Sequence, residues 1–293
     1  MLTTTPENRI VDERAADPDM RMTAYVYERV FGEAPGCVRH VPGALTLMEE
    51  PALTIGLPWG VIAAVGPGPT DVYSMNHHTD RYTGGQPPKW AVPAVAALRA
   101  HDALETRVVV HRELPFETGL SNGAETSCAV SQAVRDLYGL PGAPIPYDPA
   151  STTTLHAAPG QALLVTGETV QRLPCDLARA GLRLLIMDLG VDRTHPPAHG
   201  HAERAASALR AGDLAAFGAA LTRAHTTSDA PFDLALDAAQ GAGALGGLVV
   251  GRCAVAVVPL QAVPRVRQRV QQALTGHVRR PPRFLTAVPS GRR

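Results

Sequence analysis

The sequence lacks a net charge: 27 Lys and Arg stand against 27 Asp and Glu in 293 residues. Without a field of one sign, nothing draws the chain onto nucleic acid or an anionic membrane, which leaves a small molecule or a protein as partner. Cysteine is scarce. Cys37, Cys128, Cys175 and Cys253 lie far apart with no CxxC pair, which excludes a disulfide framework and leaves reduced, mostly buried thiols. No eighteen uncharged apolar residues run together, and the polar leader from Met1 to Asp19 has no apolar core of the kind a signal peptide needs, so the expected location is the cytoplasm. Also absent are an internal repeat, a Ser-His-Asp order, a Cys-His pairing and a GxGxxG after a strand.

What is present is a globular composition, 45% apolar, in a length that suits one large domain or two ordinary ones. The pattern predicts a helix over Arg21 to Phe31, strands over Cys37 to Met48, Pro51 to Val65 and Asp71 to Met75, and a loop over Asn76 to Lys89. A helix over Trp90 to Ala100 is followed by a strand over Thr106 to His111, a Gly-containing loop, and a helix over Ala124 to Tyr138. A strand, a loop and a helix N-terminus in succession form a natural anion site. Further on the pattern predicts strands at Ala162 to Thr166, Leu182 to Asp188, Ala254 to Val258 and Arg283 to Val288, with helices at Ala202 to Ala211, Asp213 to Ala224 and Val263 to Leu274. Strands and helices mix without a regular βαβ repeat, which reads as α+β with two lobes.

Pro115-Phe-Glu-Thr-Gly-Leu-Ser-Asn-Gly-Ala124 resembles the phosphate loop of the GHMP small-molecule kinases, usually Pro-x-Gly-x-Gly-Leu-Ser-Ser-Ser-Ala at a helix start. Val41-Pro-Gly-Ala-Leu-Thr-Leu-Met-Glu-Glu50 resembles the first galactokinase motif, Ala-Pro-Gly-Arg-Val-Asn-Leu-Ile-Gly-Glu. Leu185 to Val191 is similar to the galactokinase strand ending in Asp-Thr-Gly-Val, His201-Ala-Glu-Arg204 to the start of the helix after it, and Gly246 to Cys253 to the third, Gly-rich motif. These matches are collinear from about Tyr27 to the C-terminus. The resemblance implies a two-lobe GHMP-kinase-like fold with its ligand cleft between the lobes, divided here as residues 1–175 and 176–293.

The departures matter as much. Within the loop formed by Glu117, Gly119, Leu120, Ser121, Asn122 and Gly123, Glu117 replaces a glycine whose freedom lets backbone amides approach a triphosphate. A carboxylate about 4 Å from a phosphate charge costs about 1 kcal/mol in water and about 4 at an effective dielectric of 20. Asn122 and Gly123 replace serines. Ala44 stands where the family has the arginine that supports the transferred phosphoryl group, and of the sugar-binding Glu-His-Asp set only Glu50 remains, either facing a pocket or sitting in a turn with Glu49. The segment that carries the family's catalytic Asp is largely deleted; Asp148 is the nearest substitute, as a base for a substrate hydroxyl or as an N-cap ahead of Pro149. His201, in the slot of the family's sugar-contacting tyrosine, is a second candidate for hydrogen bonding or acid-base chemistry.

His195, His199 and His201 form an H-x3-H-x-H group, and His77-His78 adds two imidazoles, but no neighbouring Cys supports a closed metal site and solvated loop histidines are the expectation. The C-terminal Arg279, Arg280, Arg283, Arg292 and Arg293 read as solubilising surface charge. Three functions stay open. The first is a repurposed protein, either a small-molecule enzyme of altered chemistry or a ligand-binding pseudokinase for a sugar-like metabolite, with no cofactor assigned. The second is an active kinase using ATP and Mg²⁺, with Asp148 as base and Arg81 or Arg112 replacing the missing arginine. The third is a noncatalytic interaction subunit, and an oligomer is compatible with each.

Overall fold

The computed structural model describes residues 17–114, 118–120, 123–141, 148–191, 195–225 and 229–291. Helix α1 (Pro18–Phe31) starts where Asp17 accepts the backbone N–H groups of Asp19 and Met20, and stops at Gly32 in the left-handed conformation. Strands β1 (Cys37–Glu49) and β2 (Ala52–Pro67) form a long antiparallel hairpin. Around it lie β3 (Asp71–Ser74), β4 (Arg81–Tyr82), β5 (Thr106–Arg112), β6 (Gln161–Thr166) and β7 (Thr169–Pro174). With the two-residue β9 (Ala198–His199) they make one sheet, in which β4, β3, β5, β2, β1 and β9 are successive neighbours and β6 and β7 branch from β2.

Residues along β2 alternate between two layers, as a strand covered on both faces requires. Val61, Ala63 and Val65 pack with α2 (Val92–Ala100) and α3 (Ala124–Tyr138), whereas Ile62 and Ala64 pack with Met20 and Tyr27 of α1. A second sheet has the order β10 (Gly246–Val250), β11 (Cys253–Pro259), β8 (Leu182–Asp188), β12 (Arg283–Ala287). On β8, Leu185 and Met187 face α7 (Ala230–Gly241) and α8 (Val263–Leu274), while Leu184 and Ile186 face a core shared with Leu45, Leu53, Ile55 and Leu57 of the first sheet. Helices α5 (Ala202–Arg210) and α6 (Leu214–Ala224) complete that shared core through Ala205, Leu209, Phe217 and Leu221.

Elements with strong local signals fall where the pattern puts them, α3 to the residue. Six did not announce themselves: the two-residue β4 and β9, the strands β7 and β10, α7, and the short α4 (Pro149–His156). Helix α4 carries three threonines in succession, poor helix formers. Its start is fixed by Asp148 as N-cap and Pro149 in the first turn, and its interior by Thr153 Oγ1, which lies 2.6 Å from Pro149 O and 2.5 Å from Thr54 Oγ1. Local capping and one buried hydroxyl contact outweigh propensity there.

The C-terminal arginines require a correction. Arg280 and Arg283 do not merely solubilise the surface: both reach Asp188, a carboxylate 1% exposed at the end of β8. Gly190 N–H donates to the other oxygen of the same carboxylate at 2.9 Å. A buried carboxylate needs such partners, because an uncompensated charge there costs several kcal/mol.

Candidate functional site

Of the predicted phosphate loop, Glu117, Ser121 and Asn122 lie outside the described residues; Thr118, Gly119, Leu120 and Gly123 are placed. Leu120 turns into the shared core. Gly123 caps α3 at φ +97°, with no side-chain hydrogen bond to the helix start. From the second sheet, the β10–β11 turn rests on this loop. Gly251, at φ +60°, approaches so closely that a Cβ there would lie 2.5 Å from Gly119 O, and Arg252 N–H donates to Thr118 O at 2.9 Å. The close approach and the left-handed backbone together require glycine at 251.

Helix α3 is buried over most of its circumference, from Glu125 through Val134. Glu125, in that first turn, is 1% exposed, and its Oε1 accepts the backbone N–H of Ala44 at 3.3 Å. Ala44 itself is buried, a methyl group where the family resemblance places an arginine. One turn along α3, Cys128 is flanked by the carboxylates of Glu125 and Asp148 and hydrogen-bonded to Ser151 of α4. Burial pushes its thiol up to about 12; the Ser151 hydrogen bond offsets this in part, while Asp148 and Glu125 add to it. Such a thiol stays protonated and is no nucleophile at neutral pH.

Asp148 does act as an N-cap. Its Oδ1 accepts from Ala150 N–H at 3.0 Å and Ser151 N–H at 2.9 Å. Glu50 stands exposed in the β1–β2 turn at φ +60° and lines a cavity of 460 Å³ with Glu49, Pro51, Ala52, Pro149, Val165, Thr166 and Gly167. Thus Glu50 and Pro149, the neighbour of Asp148, border one cavity, which falls within the 300–1,000 Å³ range of small-molecule sites. His201 is the N-cap residue of α5, without a side-chain hydrogen bond to that helix.

A smaller cavity of 110 Å³ lies between His195, Pro196, Pro197, Ala198 and His199 on one side and Ala224, His225, Leu248 and Val249 on the other. Its histidines are engaged with carboxylates. His225 Nε2 is hydrogen-bonded to Asp233 at 2.8 Å, and His195 Nε2 lies 2.8 Å from Asp229 Oδ2 in an ion-pair contact without hydrogen-bond geometry. His199 Nδ1 is 3.9 Å from Glu49. Among the described residues no three ligating side chains gather as a metal site would require.

Sequence reasoning missed Glu125, Asp229 and Asp233. Glu125 had a usable signal, since Glu125, Cys128, Ala129 and Gln132 fall at i, i+3, i+4 and i+7 on one helical stripe; all four are buried. The aspartates had none, because each meets a histidine on another segment of the fold.

No family model matches the sequence, and no curated protein does either. The fold, however, matches solved structures over most of their length. A galactokinase of Lactococcus lactis complexed with galactose superposes with a TM-score of 0.75 at 17% identity, covering 94% of this chain and 99% of that one. A homoserine kinase from Cytophaga hutchinsonii gives 0.62 at 13% identity, covering 87% and 96%. The mevalonate kinase of Methanococcus jannaschii gives 0.60 at 12%, covering 86% and 98%. The chain therefore has the mixed α/β fold of the GHMP small-molecule kinases.

Proposed function

We propose that this chain uses the GHMP fold to bind a small, sugar-like metabolite without transferring phosphate from ATP, as an enzyme of altered chemistry or as a ligand-binding pseudokinase. The observation that carries this reading is Ala44: buried on β1, with its N–H donating to Glu125 in the first turn of α3, it offers only a methyl group where phosphoryl transfer calls for a cation. Arg81, one candidate replacement, is committed to Asp71 and stacks over Phe31. Arg39 is committed to Asp136, and Arg252 Nε to Val191 O. The residues placed around the loop do not fit ATP and Mg²⁺ in the usual pose. The cavity beside Glu50 and Pro149 is where the metabolite would sit, with Glu50 accepting hydrogen bonds from its hydroxyls.

One observation favours the kinase alternative. Arg112, at the end of β5 and three residues ahead of the loop's first proline, has a buried Nε with no hydrogen-bond partner among the described residues, so a cation remains near the loop. Titration calorimetry of the purified protein with ATP and Mg²⁺ at moderate salt separates the readings. The expected result is no detectable heat of binding; micromolar affinity would overturn the proposal and make Arg112→Ala the next variant to test.

A further inference from the structure

Overall neutrality hides a local bias: from Ala238 to Arg293 the sequence has nine arginines and no aspartate or glutamate. Helix α8 shows the result. Val263, Val266, Val270 and Leu274 are buried in the cluster shared with α7 and the second sheet, whereas Arg265, Arg267 and Arg269 are exposed. Just past this helix Gly276, at φ +82°, turns the chain, and a cavity of 380 Å³ opens between the last turn of α8 and the segment leading to β12. Leu274, Val278, Pro281 and Pro282 give it an apolar wall, Arg279 and Arg280 border it, and among the described residues no carboxylate lines it.

The charges beside this cavity do not cancel. Arg280 shares the buried Asp188 with Arg283, so one positive charge is left over from that group. Arg279 adds another, exposed and without an ion-pair partner among the described residues. The negative end of α8 opposes these two with about half a charge. Its carbonyls are already engaged, since Thr275 Oγ1 donates to Gln271 O at 3.0 Å and His277 N–H donates to Leu274 O at 2.9 Å. The surplus is therefore positive.

We propose that this cavity binds a small organic oxyanion, a phosphate or carboxylate group on an apolar frame, with Arg279 as its principal contact. A guanidinium presents paired donors that match either group, the apolar wall receives the frame, and the volume falls in the range of small-molecule sites. The cavity shares no lining residue with the one beside Glu50, so it stands or falls apart from the proposed function.

The test is titration with phenyl phosphate, benzoate, inorganic phosphate and neutral benzamide, followed by amide NMR shifts in wild type, Arg279→Ala, Arg279→Lys and Arg269→Ala. Arg269 is exposed on α8 and does not line the cavity, so its variant measures the general field of the arginines. Both side chains lie at the surface, and all three variants should melt with the wild type. The expected outcome is a saturable shift of the amides from Thr275 to Val278 with phenyl phosphate or benzoate, the tighter of the two naming the head group. Inorganic phosphate and benzamide should each bind at least about tenfold more weakly, and Arg279→Ala should weaken the organic anion by at least about tenfold. Arg279→Lys should recover part of that loss, and Arg269→Ala should stay within about twofold of wild type. The proposal is overturned by no saturable shift with either organic anion, by benzamide or inorganic phosphate binding as tightly as they do, or by equal losses in Arg279→Ala and Arg269→Ala.

Discussion

At the scale of single residues, the thiols respond to burial in a way that can be measured. Cys128 and Cys175 are both pushed up to about 12 by desolvation, and Cys253 further still. An unfolded thiol ionises near 8.5. Above that pH the unfolded chain releases protons that the native chain retains, so stability is full below about pH 8.5 and falls as the pH rises toward 12. Each of the three contributes a slope of about 1.4 kcal/mol per pH unit. Urea denaturation at pH 7.5, 9 and 10 should show that decline, and triple substitution to alanine should flatten it while lowering stability at neutral pH. All four cysteines are buried, so a thiol reagent such as dithionitrobenzoate should react with none in the native protein and with four in urea.

The same scale shows what a sequence conceals. Buried thiols follow from the scarcity and wide spacing of the cysteines, and they are found. The pairing of Asp188 with Arg280 and Arg283 spans more than ninety positions, and only the alignment of β8 with β12 brings these groups together. A run of arginines near a C-terminus looks like surface charge until a buried carboxylate is placed beside it. Ala44 was legible through a motif; the carboxylate that reaches its N–H lies 81 residues away and belonged to no motif.

Among the elements, α4 poses the sharpest question, because Asp148 has two possible duties and its capping bonds are now explicit. As a cap it donates nothing and accepts two N–H groups, a task asparagine performs equally well and alanine does not. Asp148→Ala should therefore cost about 1 kcal/mol, roughly 2 °C in melting temperature for a chain of this size, while Asp148→Asn should melt with the wild type. A fall in the asparagine variant as large as in the alanine one would show that the charge, and not the cap, holds the helix. Because the asparagine variant preserves the helix, any turnover found with a metabolite and lost in that variant alone would assign Asp148 to chemistry. Long elements with one strong period, such as α3 or the β1–β2 hairpin, were readable because local pattern and tertiary packing agree. In α4 and β7 they do not: α4 is rich in threonine, and β7 exposes Thr169, Val170, Gln171 and Arg172, leaving too weak an alternation to detect.

For the molecule as a whole, the shared core decides how the two sheets behave. Leu45, Leu53, Ile55 and Leu57 from the first sheet and Leu184, Ile186, Leu248 and Val255 from the second belong to one buried cluster, so neither sheet can lose its inner face without stranding apolar surface on the other. The fold was legible because collinear motifs mark its order along the chain, but the function was not, since the positions that would name a ligand are those that changed. The coupling of the sheets is open to test. Trp59 packs against the shared cluster, whereas Trp90 packs against one formed only by the first sheet and its helices, so in a Trp59→Phe background the fluorescence of Trp90 reports on the first sheet alone. Ile186→Ala, made in the second sheet at a fully buried position, should cost about 2–5 kcal/mol and lower the urea midpoint seen by tryptophan fluorescence as much as that seen by circular dichroism. If the fluorescence midpoint stayed in place while the dichroism transition split in two, the halves would unfold independently and the shared cluster would be a contact without cooperative weight.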